Sequence, residues 1–372
     1  VAHRRCAASS LLLVAQPSGP ESGICPLPLH LECELWTREA SRWSEIDAAV
    51  RRAADLSGDY AYSVPRVSLI TPAHEAERHV ADAIASAIAQ TFTDWEMIVA
   101  DDASVDDTSG VAGRVEDERV RVVRSEHNLG PAGARNLALA HARGELVAFL
   151  DADDRLLPRY LETMVGLYDV EQGRRGDVGI VACDATIVGP EGPRGHSHQA
   201  LHGFPDGASV TDLLRANSVF VCALSPSAVV EQVGGFSDEC RGSEDHDLWL
   251  RILQSGRRIV ATREILVLYN DAGVGLSRDP AGMARTTQAT YRRALRRGGL
   301  TREQRRIAGE RLRVARAVEA TVEIAAQRRA GAWKTLRNVL RASPALLAAA
   351  LTDPRRWPDW LRGVRLLMAR EP

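Results

Sequence analysis

The run Leu146-Val147-Ala148-Phe149-Leu150 leads directly into Asp151-Ala152-Asp153-Asp154. Five consecutive apolar residues suit a short strand buried on both faces, the usual condition inside a parallel sheet. Three carboxylates at the end of such a strand repel one another, so the cluster persists by binding a cation or by changing protonation. Oxygen-only ligands favour a hard cation, Mg²⁺ or Mn²⁺, which keeps coordination positions open for phosphate oxygens. The competing reading is a polar turn that caps the next helix.

The surrounding pattern favours the sheet. Arg66 to Ile70, Trp95 to Ala100, Val120 to Val123 and Leu146 to Leu150 read as strands. Ala76 to Gln90, Asp106 to Glu118 and Pro131 to Ala142 read as the intervening helices, the last with Pro in its first turn. This alternation with short connections predicts an α/β fold with a mostly parallel central sheet and helices on both faces. Ligands of such sheets bind outside the carboxyl ends of the strands. Three strand ends are polar: Thr71-Pro72-Ala73-His74-Glu75, Asp101-Asp102-Ala103-Ser104-Val105-Asp106 and Asp151 to Asp154. Parallel strands would bring all three to one edge.

Beyond Asp154 the pattern loosens. Asp177 to Cys183 and Val219 to Leu224 read as strands, Pro226 to Val233 and Glu244 to Gln254 as helices, and Glu191 to Gly207 as a Gly/Pro/His-rich loop. Three segments result: an N-terminal extension over 1–63, expected to be partly disordered; a catalytic domain over 64–280; and a basic helical C-terminal region over 281–372. Residues 281–372 carry 21 Arg and Lys against 7 Asp and Glu, although the whole chain has a net charge of -2. The acidic remainder therefore calls for a cation or a basic partner. The basic region suits either an anionic membrane surface, with Trp333, Trp357 and Trp360 beside its arginines, or packing back on the acidic domain. It contains no nucleic-acid recognition motif. The six cysteines show no metal spacing and read as reduced thiols of a cytoplasmic protein. No apolar run approaches the roughly 18 residues that span a bilayer.

Individual residues sharpen the chemistry. Asp101 and Asp102, at a strand end, suit hydrogen-bond donors of a nucleotide base or ribose, while Asp106 suits a helix cap. Arg135, early on the helix after Asn128-Leu129-Gly130, either balances the carboxylates and contacts a nucleotide or is a plain surface arginine. Glu244 and Asp245 open a helix, where the dipole stabilises carboxylates. The functional alternative makes Asp245 a general base tuned by Glu244 and a nearby metal. His246 reads as a surface residue, Asp247 as a helix-stabilising carboxylate, and Leu248, Trp249 and Ile252 as core.

Taken in order, Thr71-Pro72, Asp101 to Asp106, Gly133-Ala134-Arg135-Asn136, Asp151 to Asp154, Gly234-Gly235-Phe236 and Glu244-Asp245-His246-Asp247-Leu248-Trp249-Leu250-Arg251 resemble the family-2 inverting glycosyltransferases over roughly residues 64–278. The resemblance implies a GT-A type nucleotide-diphospho-sugar transferase fold. Carried over by position, Thr71, Pro72 and Glu75 lie beside the nucleotide. Asp101 or Asp102 binds the base, and Arg135 stands near base and ribose. Asp151 faces the ribose or a metal-bound water, Asp153 holds Mg²⁺ or Mn²⁺ on the diphosphate, and Asp245, beside Glu244, deprotonates the acceptor hydroxyl. The donor is then a UDP-, GDP- or dTDP-sugar, and the acceptor a glycan or lipid-linked glycan of the cell envelope. Such an enzyme works in the cytoplasm or at the inner face of the membrane. Two departures stand out: Ala73-His74 replaces the family's aromatic-Asn pair, and Tyr269 to Ser277 contains no His. A sugar-nucleotide-forming nucleotidyltransferase is the alternative enzyme, but Thr71 to Glu75 is no Gly-rich phosphate loop. A catalytically silent glycan- or nucleotide-binding module is the other alternative, and it has no need of the Glu244-Asp245 pair.

Overall fold

A computed structural model describes residues 64–271 and 279–329; the expected extension over 1–63 and the three C-terminal tryptophans lie outside the described residues. The nine strands are β1 (Val67–Ala73), β2 (Trp95–Asp101), β3 (Val120–Arg124), β4 (Leu146–Phe149), β5 (Arg155–Leu156), β6 (Val178–Gly189), β7 (Gly192–Ser197), β8 (Leu224–Pro226) and β9 (Arg258–Asn270). The helices are α1 (Val80–Ile88), α2 (Thr108–Gly113), α3 (Gly130–Ala140), α4 (Tyr160–Arg175), α5 (His198–His202), α6 (Val210–Arg215), α7 (Ser227–Gln232), α8 (Glu244–Gln254), α9 (Pro280–Arg297) and α10 (Arg302–Arg329).

All nine strands join one sheet in the order β3-β2-β1-β4-β8-β6-β9-β5, with β7 paired to β6. Its first half is parallel. Ala73 lies opposite Asp101, Asp101 opposite Arg124, and Ile70 opposite Phe149, so the three polar strand ends share an edge. Side chains alternate across this half. Val67 and Leu69 of β1, with Leu146 and Ala148 of β4, face α1 and α4, where Val80, Ile84, Tyr160 and Met164 complete one core. Ile70, Val147 and Phe149 face the other way, against Ala134 and Ala138 of α3 and Leu248, Trp249 and Ile252 of α8. Burial on both faces explains the uninterrupted apolar run of β4 and the predominance of apolar residues in β1 and β2.

The second half is mixed. β8 runs antiparallel to β4 and β6, β5 antiparallel to β9, and β6 parallel to β9. The expected parallel pairing thus holds among β1 to β4 and again between β6 and β9, while β5, β7 and β8 pair antiparallel and make the second half mixed. The stretch expected as a loop over 191–207 contains β7 and α5. β7 is an exposed edge strand with no apolar face, so its sequence carries no alternation to read.

The end of the sheet opposite the polar edge is tied by a buried carboxylate. Glu96, 2% exposed, accepts from Ser68 Oγ at 2.8 Å, from Arg121 at 2.9 Å, and from the Arg143 backbone and guanidinium at 2.7 Å each. Burial alone would raise this carboxyl, but Arg143 and Ser68 more than offset it and hold it below the ordinary range. Gly144 lies alongside, and a Cβ there would stand 2.5 Å from the Ser68 backbone nitrogen.

Helices α9 and α10 pack back on the domain. Tyr291 and Ala294 of α9, with Ile307 and Ala308 of α10, join the core that contains Trp249 and Leu253. Arg293 and Arg296 pair with Glu239, and Arg293 and Arg297 with Asp247, so part of the basic surplus is matched inside the protein. Among the described residues no helix is long and apolar enough to cross a membrane.

Removing the Glu96 carboxylate leaves two arginines without their buried counter-charge. Both arginines are partly exposed, so the cost lies in the buried donors left unpaired, among them the Ser68 hydroxyl. Glu96→Ala should lower unfolding free energy by about 1–3 kcal/mol, and an unchanged urea denaturation curve would contradict the role given to Glu96.

Candidate active site

One wall of the site is built by the ends of β1 and β2. Thr71 is fully buried, and its hydroxyl has no hydrogen-bond partner among the described residues. Glu75 takes a left-handed backbone (φ 52°), which turns Oε1 onto the Val105 N–H at 2.8 Å. Asp101 is fully buried and accepts from Ser104 N at 3.0 Å, from Arg124 at 2.6 Å and from the Ser109 hydroxyl. Asp102 accepts from Leu129 N at 2.6 Å and Gly130 N at 2.8 Å, and so satisfies the first N–H groups of α3. Gly130 has φ 74°, which suits the abrupt entry into that helix. Both carboxylates therefore shape the wall from inside. Arg124, which holds Asp101, gave no sequence signal because a basic residue ending an edge strand looks solvated.

The centre of the site is Arg135. It lies on α3 and is 4% exposed, so it is not a plain surface arginine. One guanidinium nitrogen donates to Glu244 Oε1 at 2.5 Å and the other to Asp151 Oδ1 at 2.5 Å. Its carbon stands 5.4 Å from the centre of the Phe236 ring. Burial opposes its charge, but Asp151 and Glu244 outweigh that and keep it protonated. The floor is fixed by Asn136, which accepts from Phe236 N at 2.8 Å and donates to Phe236 O at 2.9 Å. A side chain at Gly235 would meet Asn136, so Gly234-Gly235-Phe236 and Arg135-Asn136 form one unit.

Arg135 links strand end and helix start. Glu244 also accepts from Gly242 N, which orients it at the first turn of α8. Asp245 follows and accepts from Asn217 Nδ2 at 3.0 Å. Burial and the adjacent Glu244 raise its carboxyl to about 6, against the pull of the His246 N–H, Arg135 and Asn217. Such a group is ionised at neutral pH yet basic enough to take a proton. Asn217 lies outside every sequence motif noted above and was missed for that reason. His246, expected at the surface, is buried: its Nε2 donates to Leu213 O at 2.8 Å, because the core of α6 and α9 covers it.

The three strand-end aspartates separate. Asp151 is held by Arg135. Asp154 is 1% exposed and accepts from Asn270 N at 2.8 Å and from the Cys222 thiol at 3.8 Å. Burial, then Asp151 and Asp153, push its carboxyl well up. Asp153 has an open face but is recessed among its neighbours, and burial and Asp151 raise it to about 6. It has no ion-pair partner among the described residues and lines a cavity of about 180 Å³ with His79, Arg155 and Asn270. Among the described residues no group of three His, Cys, Asp or Glu is placed to hold a metal alone. A cation held by one or two carboxylates and completed by diphosphate oxygens and water suits this donor set.

A model of "Glycosyl transferase family 2" matches residues 68–220. TuaG of Bacillus subtilis, named as a teichuronic acid biosynthesis glycosyltransferase, is 31% identical over 233 residues, covering 61% of this chain and 88% of TuaG. WfgD of Escherichia coli, named as a UDP-Glc:alpha-D-GlcNAc-diphosphoundecaprenol beta-1,3-glucosyltransferase, is 39% identical over 101 residues, 27% of this chain and 40% of WfgD. The mannosyltransferase PcManGT from Pyrobaculum calidifontis, solved with GDP-Man and Mn²⁺, superposes with a TM-score of 0.55 at 22% identity, over 90% of this chain and 92% of that one.

Burial, and then crowding by Glu244, make the charge of Asp245 costly to stability. A carboxyl raised to about 6 from 3.8 carries no penalty below pH 3.8; the penalty grows between pH 3.8 and about 6 and is constant above that. Asp245→Asn should therefore stabilise the protein by on the order of 2 kcal/mol at pH 7.5 and leave it unchanged below pH 4, as read by denaturation at both pH values. Equal stability of the two proteins at pH 7.5 would contradict the crowding.

Proposed function

The chain belongs to the family-2 glycosyltransferases and is an enzyme that transfers glycosyl groups, and from that premise we propose that it moves a sugar with inversion from a nucleoside-diphosphate donor to a hydroxyl of a cell-envelope glycan. The observation that carries the site assignment is Arg135, buried between Asp151 and Glu244, with Asp245 the next residue along α8. That bridge defines one cleft with a diphosphate side at Asp151 and Asp153 and an acceptor side at Asp245.

In this reading the acceptor hydroxyl approaches Asp245, which takes its proton as the oxygen attacks the anomeric carbon. The bond from that carbon to the diphosphate oxygen breaks, and the nucleoside diphosphate leaves with the electron pair. A base on the face opposite the leaving group gives inversion. Arg135 keeps Asp151 and Glu244 apart and oriented. Thr71, Pro72, Glu75, Asp101 and Asp102 form the nucleotide wall, with Asp102 or Asp101 toward the base. Asp153, with Asp151 beside it, would hold Mg²⁺ or Mn²⁺. Bound there, the cation would supply charge neutralisation to the departing diphosphate. The names of TuaG and WfgD support an envelope polysaccharide, and that of WfgD a lipid-linked acceptor and a UDP donor. We place the reaction at the cytoplasmic face of the membrane, where such an acceptor is reached.

Asp245→Asn should lower kcat by about 10²–10⁴-fold, the usual contribution of a general base, with nucleoside-diphosphate affinity kept. In the wild type, kcat should rise tenfold per pH unit below about 6 and level above it, since the ionised form is active. Sugar transfer at the wild-type rate by Asp245→Asn would remove the base assignment. Separately, Mn²⁺ should tighten UDP or GDP binding in calorimetry, and Asp153→Asn should abolish that gain. An identical Mn²⁺ effect in the variant would refute the role of Asp153.

A further inference from the structure

The basic C-terminal region touches the start of α8 at nearly every residue around Asp245. Ser243, at the N-cap, does not cap its own helix; its hydroxyl pairs with that of Thr290 on α9 at 2.7 Å. Thr290 is fully buried. His246 lies edge-on to the Tyr291 ring, with centres 6.0 Å apart. Asp247, 1% exposed, accepts from Arg251 Nε of its own helix at 2.8 Å, and from Arg293 Nε at 3.2 Å and Arg297 at 3.3 Å, both on α9. Three guanidinium groups on one buried carboxylate form a network whose parts are not interchangeable.

The second half of the contact runs through α6. The Tyr291 hydroxyl donates to Leu214 O at 3.1 Å, and His246 donates to Leu213 O. Arg311 of α10 donates to Arg215 O. The last carbonyls of α6 are thus held from α8, α9 and α10. The chain leaves α6 at Ala216 in an extended conformation, and the next residue is Asn217, whose amide meets Asp245. The base and its only side-chain hydrogen-bond donor among the described residues are therefore fixed by the same outside helix.

We propose that α9 is a positioning element for the transfer reaction: it sets the carboxylate of Asp245 against the acceptor, through Thr290 and Asp247 on the α8 side and through Tyr291 and Asn217 on the α6 side. Thr290 and Tyr291 are positioning residues that act through α8 and α6, whereas Asn217 donates to the Asp245 carboxylate itself. The inference rests on Asp245 as the base. It also gives the C-terminal region a function in the site itself, beyond supplying positive charge. The charged groups that face Asp245 are Glu244 on α8 and Arg135 on α3, and the variants below leave both in place.

The test compares Asn217→Ala, Tyr291→Phe, Thr290→Val and Asp245→Asn in the full-length enzyme, with kcat, donor KM, UDP affinity and the kcat–pH profile measured for each. Asn217→Ala should lower kcat about 10- to 100-fold at unchanged donor KM and move the acidic limb to higher pH, because a donor to the ionised carboxylate is lost. Tyr291→Phe and Thr290→Val should lower kcat by roughly three- to tenfold at unchanged UDP affinity, and Tyr291→Phe should move the same limb in the same direction. A merely structural contact would lower thermal stability and active fraction but leave the limb in place. Wild-type kcat and pH profile in Asn217→Ala and Tyr291→Phe, with Asp245→Asn inactive, would overturn the positioning role and leave the base assignment standing. An active Asp245→Asn would overturn the base assignment and this proposal with it. Should Tyr291→Phe not fold, Thr290→Val, read by the same kcat and pH profile, decides the matter.

Discussion

The ion triad Asp151–Arg135–Glu244 is the interaction on which the cleft depends. Its two carboxylates come from elements far apart in the chain, one after β4 and the other at the start of α8, and Arg135 is the group that bonds both. A buried pair of this kind contributes little net stability against an apolar replacement, yet losing one member leaves an uncompensated charge. Its value here is geometric. A planar guanidinium with two forks fixes the separation and orientation of two carboxylates, which a lysine with one point charge would not do. The guanidinium lies over the Phe236 ring, and Asn136 fixes the backbone of Phe236 through two hydrogen bonds.

Charge follows a consistent plan around this triad. At the far end of the sheet Glu96 is fully matched by donors, and its carboxyl is held down. At the polar edge Asp153 and Asp245 are both raised to about 6, and each has carboxylate neighbours that Arg135 only partly balances. Unfavourable charge is thereby confined to the cleft, where a nucleotide, a cation or a transferred proton relieves it. Two raised groups rather than one also fit two separate tasks, since Asp153 opens toward a cavity while Asp245 is held by Asn217.

The sequence made the parallel half of the fold readable, and with it the edge on which the site lies. β1, β2 and β4 are buried on both faces; β4 is wholly apolar, so Asp151 to Asp154 stand out at its end, while β1 and β2 carry only Ser68, Thr71 and Glu96 as polar residues before their ends. Asp151 and Asp153 could be singled out for that reason, and Glu244 and Asp245 as paired carboxylates at a helix start. Arg135 could not be resolved from a surface arginine, because whether a helix face is buried depends on what packs over it. His246 was misplaced on the same ground: its covering comes from α6 and α9, distant in sequence. β7 and α5 escaped because an exposed edge and a five-residue helix carry no hydrophobic period. Asn217 had no local signal at all, since its partner is 28 residues away.

The same limit explains the C-terminal region. Read as composition, its arginines suggest an anionic surface; read in three dimensions, Arg293 and Arg297 converge on a buried aspartate two residues from Asp245. Asp247 is costly to bury alone, and Arg251 of its own helix supplies one counter-charge while Arg293 and Arg297 add two from outside the helix that carries Asp245. Those two arrive only when α9 is docked. Completion of the α8 N-terminus is thus tied to docking of α9, and the architecture of the cleft is set by a helix that contributes no side chain to it.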